Sequence, residues 1–130
     1  MLQDAGFDAH AQVVWVAEGL LAYLSAEVRD ALIVTTAALS VAGSRFGLTL
    51  AARTPTEELR PASTRVGSKP RNYKALFKST APDDPRSWLA AHGWRAELFD
   101  VAERSDSYGR PPLVGASGVD RARLVDATRL

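Results

Sequence analysis

Glu18 is the side chain best placed to do chemistry. It stands in Val13-Val14-Trp15-Val16-Ala17-Glu18-Gly19-Leu20-Leu21-Ala22-Tyr23-Leu24, a run otherwise made of apolar and small residues. An ionised carboxylate in such surroundings is costly to bury unless it is paired or hydrogen-bonded. Its natural partners are a ligand ammonium or hydroxyl, or the backbone N–H groups of the turn that follows. Gly19, which has no side chain, lets a ligand come close to the backbone. Local chemistry leaves two roles open for Glu18: a ligand-facing carboxylate, or a structural one that caps its turn. Tyr23 and Trp15 read as core or pocket wall rather than as reacting groups.

Other sets of residues offer less. No Gly-x-Gly-x-x-Gly run is present, and no phosphate-cradling loop ends in Gly-Lys-Ser or Gly-Lys-Thr. Gly115-Ala116-Ser117-Gly118 lacks the second spacer of a nucleophile elbow. Asp83 and Asp84 are adjacent carboxylates, but Pro85 follows them, and a turn-and-cap role suits them better than acid–base work. His10 and His92 are the only imidazoles, and neither has a neighbour at ligand spacing for zinc. There is no cysteine, which excludes disulfides and thiol chemistry and makes a reducing cytoplasm the natural compartment.

The elements that must position Glu18 are short and clearly punctuated. Leu2 to Phe7 reads as the last turn of a helix stopped at Gly6. Gln12 to Ala17 reads as a strand whose unbroken apolarity implies burial on both faces, as in a parallel sheet. A carboxylate at the carboxyl end of such a strand is where open α/β sheets bind small ligands. Ser25 is a helix N-cap with Glu27 in the first turn, and Val28, Leu32, Thr35 or Thr36, and Leu39 recur at helical spacing toward a stop at Gly43. Arg45 to Ala51 is a second strand, with Phe46, Leu48 and Leu50 on one face. This strand–helix–strand order is a crossover unit with parallel strands.

Residues 53–83 are dominated by Pro, Ser, Thr and basic residues, with one apolar knot at Tyr73, Leu76 and Phe77. They read as a flexible insertion. Asp84-Pro85 then caps and opens a helix that Gly93 ends, with His92 placed to meet its last carbonyls. Trp94 to Phe99 alternates as a strand near a sheet edge. Asp100 with Glu103 resembles a capping box opening a short helix through Tyr108, stopped by Gly109. Leu124 to Leu130 supplies a final strand.

With 130 residues, 46% of them apolar, the chain allows at most one domain with a core. No apolar run approaches the ~20 residues of a membrane span, and no signal peptide is visible. Sixteen Lys and Arg against fifteen Asp and Glu leave a net charge of +1, which argues against a large nucleic-acid footprint. The one basic cluster, Arg60, Arg65, Lys69, Arg71, Lys74 and Lys78, falls in the loop-like stretch. It reads as a solvated loop, with an anionic-ligand contact and nucleic-acid binding as alternatives.

Trp15-Val16-Ala17-Glu18-Gly19-Leu20-Leu21-Ala22-Tyr23-Leu24-Ser25-Ala26-Glu27 resembles a signature of the leucine carboxyl methyltransferase family, in its actinobacterial form. Ala38-Leu39-Ser40-Val41-Ala42-Gly43-Ser44-Arg45, Trp88-Leu89-Ala90-Ala91-His92-Gly93-Trp94 and Tyr108-Gly109-Arg110-Pro111 extend the resemblance along nearly the whole chain. It implies an α/β architecture: part of a Rossmann-like class I methyltransferase fold, with S-adenosyl-L-methionine as cofactor. In that frame Gln12–Ala17 is the fourth sheet strand and Arg45–Ala51 the fifth. The segments near 94–99 and 124–130 form the antiparallel edge pair. Glu18 matches the family's acidic residue near the methionine part of the cofactor, and Gly19 lies beside it as a second cofactor contact. Tyr23, read above as core or pocket wall, is the candidate for the substrate pocket.

The family's Gly-rich cofactor loop, its ribose-binding acidic residue and its Asp-Leu pair near the adenine have no counterpart here. By this resemblance, residues 1–130 are the C-terminal portion of a methyltransferase domain. The expected reaction is methyl transfer to an oxygen nucleophile such as a carboxylate, with weak or no activity from this portion alone. No catalytic base is identifiable and the methyl acceptor is unknown. The alternative is a non-catalytic remnant that pairs with another chain through an open sheet edge. No nucleic-acid or membrane partner is expected.

Overall fold

The computed structural model describes residues 2–51, 77–110 and 122–130. The Gly115–Gly118 run and the basic cluster apart from Lys78 lie outside them, as do Tyr73, Leu76 and most of the expected 53–83 insertion.

Punctuation residues set most element ends. A 3-10 turn, Gln3–Ala5, stops before Gly6. Strand β1 (Val14–Ala17) leads through a second 3-10 turn, Leu21–Tyr23, into helix α1 (Ala26–Ala38). The Ser25 hydroxyl accepts the Val28 N–H at 3.4 Å, as an N-cap does. Strand β2 (Arg45–Ala51) follows. Helix α2 (Pro85–Ala90) opens at Asp84, whose carboxylate accepts the N–H groups of Arg86 and Ser87, both at 3.1 Å. Strand β3 (Trp94–Asp100), helix α3 (Val101–Ser107) and strand β4 (Ala122–Arg129) complete the described chain.

The four strands form one sheet in the order β1-β2-β4-β3. β1 and β2 are parallel, with Ala17 opposite Leu48. β4 runs antiparallel to both β2 and β3, pairing Leu124 with Thr49 on one side and with Phe99 on the other. The carboxyl ends of β1, β2 and β3 therefore lie at the same end of the sheet.

One face carries the core. Phe46, Leu48 and Leu50 of β2, Val125 and Ala127 of β4, and Trp94 of β3 are buried there with Ile33 and Ala37 of α1 and Leu89 of α2. Strand alternation turns Val14, Val16, Arg45, Gly47, Thr49, Leu124 and Asp126 to the other face. Arg45 and Asp126 form an ion pair there. Arg129 ties the layers together: its guanidinium donates to the carbonyls of Ala37 at 3.3 Å and Gly93 at 2.7 Å. Gly93 has φ +78, and a Cβ there would collide with that guanidinium, so the stop after α2 is also a packing site.

Two expectations from periodicity need correction. β1 is not buried on both faces: Trp15 and Ala17 face the core, but Val14 and Val16 are 69% and 67% exposed. The strand sits at the sheet edge, where α1 covers only one side. The inward stripe of α1 is Arg29, Ile33, Thr36 and Ala37. Val28 and Thr35 face outward and Leu32 flanks the core. Several stripes of similar apolarity fit this helix, and the sheet selects the one whose side chains fill the space above Phe46 and Trp94.

Candidate functional site

Glu18 and Gly19 leave the carboxyl end of β1 directly after buried Ala17. The Gly19 N–H donates to the Thr49 hydroxyl at 2.7 Å, so the β1 exit is fastened to the neighbouring strand. Gly19 has φ +61, the left-handed region that favours glycine, and a Cβ there would meet nothing within 4 Å. The backbone is thus open to an incoming group. The Glu18 side chain is exposed. This removes the premise that the carboxylate needs a partner to offset burial: water already solvates it. What remains is an accessible acceptor at the end of a parallel strand, able to receive hydrogen bonds from an ammonium or hydroxyl.

β1 is held in place from behind. The Trp15 indole N–H donates to Ser40 Oγ at 2.8 Å, and that hydroxyl donates to the Thr36 carbonyl at 2.6 Å. Strand and helix C-terminus are therefore coupled through side chains. Beyond Gly19, buried Leu21 anchors the 3-10 turn and Tyr23 is left half-exposed, stacked on Phe77 with ring centroids 5.1 Å apart. The same turn receives the 77–80 segment. The Ala22 carbonyl accepts the Lys78 N–H at 2.9 Å, and Ser79 Oγ donates to the Leu21 carbonyl at 3.2 Å.

Arg29 secures the next part of that segment by donating to the Thr80 carbonyl at 2.8 Å. Its guanidinium lies 5.1 Å from the Trp88 ring, and Asp30 Oδ1 accepts both Arg29 Nε at 3.1 Å and the Trp88 indole N–H at 3.0 Å. An open groove of about 520 Å³ runs beside these contacts, lined by Ala26, Arg29 and residues 77–83.

A second open cavity, of about 390 Å³, lies at the far side of the same sheet end. It is lined by Arg104, Ser105, Tyr108, Arg110 and Leu124. Asp100 Oδ1 accepts the Glu103 N–H at 3.3 Å, which starts α3 at the capping box read from the sequence. The guanidinium of Arg104 sits 4.0 Å from the centre of the Phe99 ring. At the other end of α3 the Arg110 N–H returns to the Ser105 carbonyl at 2.9 Å and brings the two residues together.

The structure thus joins Gly19 to Thr49, and Tyr23 to Phe77. Glu18 and Gly19 line neither cavity. The sequence reading missed Thr49, whose hydroxyl is the only polar side chain on a strand otherwise alternating apolar residues and glycine between Arg45 and Ala51. It also missed Arg29, a cation lying in the inward stripe of a helix. Among the described residues no cluster of metal-ligating side chains occurs and no helix is long and apolar enough to cross a membrane.

Residues 1–37 match the family model described as leucine carboxyl methyltransferase. Most of the chain is similar to curated proteins bearing the name "Putative S-adenosyl-L-methionine-dependent methyltransferase". One from Frankia alni is 43% identical over 112 residues, which cover 86% of this chain and 37% of that protein. One from Streptomyces avermitilis is 40% identical over 110 residues, covering 85% and 37%. One from Mycobacterium tuberculosis is 37% identical over 123 residues, covering 88% and 39%. The chain therefore spans less than two fifths of the length of these relatives.

Proposed function

From the premise that the chain is a partial-length relative of the leucine carboxyl methyltransferase family, we propose that it forms the C-terminal portion of a Rossmann-like methyltransferase domain. That domain uses S-adenosyl-L-methionine and transfers its methyl group to an oxygen nucleophile. β1 and β2 correspond to the fourth and fifth strands of such a sheet, with β3 and β4 as the antiparallel edge pair. The observation carrying this reading is the Glu18–Gly19 exit from parallel β1, held on β2 by Thr49.

The residues suit the methionine end of the cofactor. A solvated carboxylate accepts from its ammonium, and the open left-handed glycine leaves room against the backbone. When bound, S-adenosyl-L-methionine supplies an already activated sulfonium methyl, so transfer depends chiefly on positioning the reactants. Glu18 orients the ammonium. Thr49 holds the Gly19 backbone in register with β2. Tyr23, stacked on Phe77, forms a wall on the acceptor side. No side chain in this portion is assigned as a general base.

Amide shifts of the ¹⁵N-labelled 130-residue chain, titrated with S-adenosyl-L-methionine, test this. Gly19 and Leu20 should move with weak, non-micromolar affinity, and Glu18→Gln should abolish the response while leaving the fold intact. Absence of any shift at Gly19 would overturn the assignment. Micromolar binding would overturn the view that most cofactor contacts lie outside these residues.

A second reading, favoured by the exposed valines of edge strand β1, is a non-catalytic chain that pairs through that edge. Sedimentation equilibrium discriminates the two: a concentration-independent monomer removes the pairing reading.

A further inference from the structure

We infer that Arg29 is a positioning residue for the Glu18–Gly19 site, a role that rests on the methyltransferase reading above. Arg29 holds residues 77–80 as a strap across the Leu21–Tyr23 turn, and the strap keeps that turn in the conformation that receives the cofactor. The turn begins two residues after Gly19. Upstream the chain is fixed where the Gly19 N–H meets Thr49, and downstream where Ser25 caps α1. Between those points the N–H groups of Tyr23 and Leu24 donate to the carbonyls of Leu20 at 3.0 Å and Leu21 at 3.2 Å. The poorer hydrogen-bond geometry of a 3-10 turn makes it a weak element on its own.

The strap adds the missing constraint. The Lys78 N–H donates to the Ala22 carbonyl at 2.9 Å, the Ser79 N–H to the same carbonyl at 3.4 Å, and Ser79 Oγ to the Leu21 carbonyl at 3.2 Å. Phe77 stacks on Tyr23 at the near end. Between turn and strap the free space is only about 10 Å³, bounded by Leu21, Ala22, Arg29, Ser79, Thr80 and Ala81. That is at most the room of a single water, so the two segments close tightly on each other.

Arg29 closes the far end. It is 9% exposed, in the same inward stripe of α1 as Ile33, Thr36 and Ala37. A guanidinium is costly to bury, and packing alone is served as well or better by an apolar side chain. What the cation gains here is a directed grip. Arg29 Nη1 donates to the Thr80 carbonyl at 2.8 Å while Nε donates to Asp30 Oδ1 at 3.1 Å, and the group lies 5.1 Å from the centre of the Trp88 ring. Asp30 Oδ1 also accepts the Trp88 indole N–H at 3.0 Å. The guanidinium is therefore aimed by α1 and α2 together, and the strap is its target. Only a planar fork serves Asp30 and Thr80 at once; a lysine ammonium is a point charge on a flexible stem.

The initial slope of the Gly19 amide shift against S-adenosyl-L-methionine concentration, in the ¹⁵N-labelled 130-residue chain, reads this role even where binding does not saturate. Arg29→Lys keeps the charge and loses the fork. It should move the Lys78 amide resonance and lower the Gly19 slope roughly fivefold, the cost of ordering about one backbone residue on binding. Ile33→Val loosens the same helix without touching the strap and should leave the slope unchanged. Where Arg29→Lys does not fold, Ser79→Ala removes the tie to Leu21 and should lower the slope about threefold. An unmoved Lys78 resonance in Arg29→Lys overturns the inference, and so does an equal loss of slope in Ile33→Val, which would reduce Arg29 to a source of stability. A Gly19 response that ignores both Arg29→Lys and Ser79→Ala overturns this inference alone. A wild-type chain whose Gly19 does not respond at all overturns the methyltransferase reading, and the positioning role with it.

Discussion

On one face of the sheet Phe46, Leu48, Leu50, Val125 and Ala127 are sealed beneath α1 and α2. On the other face the same strands present Val14, Val16, Thr49, Leu124 and the Arg45–Asp126 pair, and among the described residues only α3 lies near one corner. The two faces differ because β2 and β4 alternate strictly while helices cover a single side. The lesson is a division of labour. The covered face supplies the free energy that holds β1, β2 and β3 in register. The open side, at the end of β1, carries the Glu18–Gly19 exit proposed here to meet the cofactor.

That contrast can be broken most forcefully from the covered side. Ile33→Ala and Leu89→Ala each empty a fully buried position and should cost about 2–5 kcal/mol, measured by urea unfolding; losses below about 1 kcal/mol would show that the face is loosely packed. Thr49→Val is isosteric and leaves the Gly19 N–H without its acceptor. It should cost about 1 kcal/mol and shift the Gly19 amide resonance, whereas an unchanged Gly19 shift would detach the β1 exit from β2.

Acid should act on the caps of the covering helices. Hydrogen bonding from the Ser87 hydroxyl, then from the Ser87 N–H, holds Asp84 below the usual carboxylate range. Glu27 is lowered first by its own backbone N–H and next by the Ser25 hydroxyl. With folded values below the unfolded ones, their stabilisation is complete above the unfolded pKa and lost as pH falls through the folded one. The unfolding midpoint should therefore drop between about pH 5 and pH 2, and Asp84→Asn should flatten part of that drop. Arg45 is raised above its already high value by its hydrogen bond to Asp126 and then by that carboxylate's charge. It stays charged throughout this range and adds nothing to the pH dependence. The smallest effect belongs to the open face: Val16→Thr should change stability by no more than about 0.5 kcal/mol. A loss well beyond that would mean that a second chain covers Val16 in solution, which urea midpoints at two protein concentrations would expose.

Local signals were enough wherever one residue type settles a backbone choice. Asp84-Pro85 opened α2, Asp100 and Glu103 opened α3, and the alternation from Arg45 to Ala51 marked β2 to the residue. They failed where several arrangements were equally apolar. The inward stripe of α1 and the covered side of β1 were both misjudged, because apolarity does not say which neighbour will arrive. Glu18 shows the same limit from the polar side. Its neighbours in the chain are apolar, yet its side chain meets solvent.

The sequence by itself determined the crossover order, the caps, the family resemblance and the identity of Glu18 and Gly19 as the groups at the tip of β1, because each depends on residues close together in the chain. Tertiary structure alone decided that Glu18 is solvated, that Thr49 fastens Gly19 across 30 residues, and that Arg104, Tyr108 and Arg110 open beside Leu124 at the same sheet end. Those outcomes follow from strand order and register, and register is set by packing the whole core rather than by any short stretch of chain.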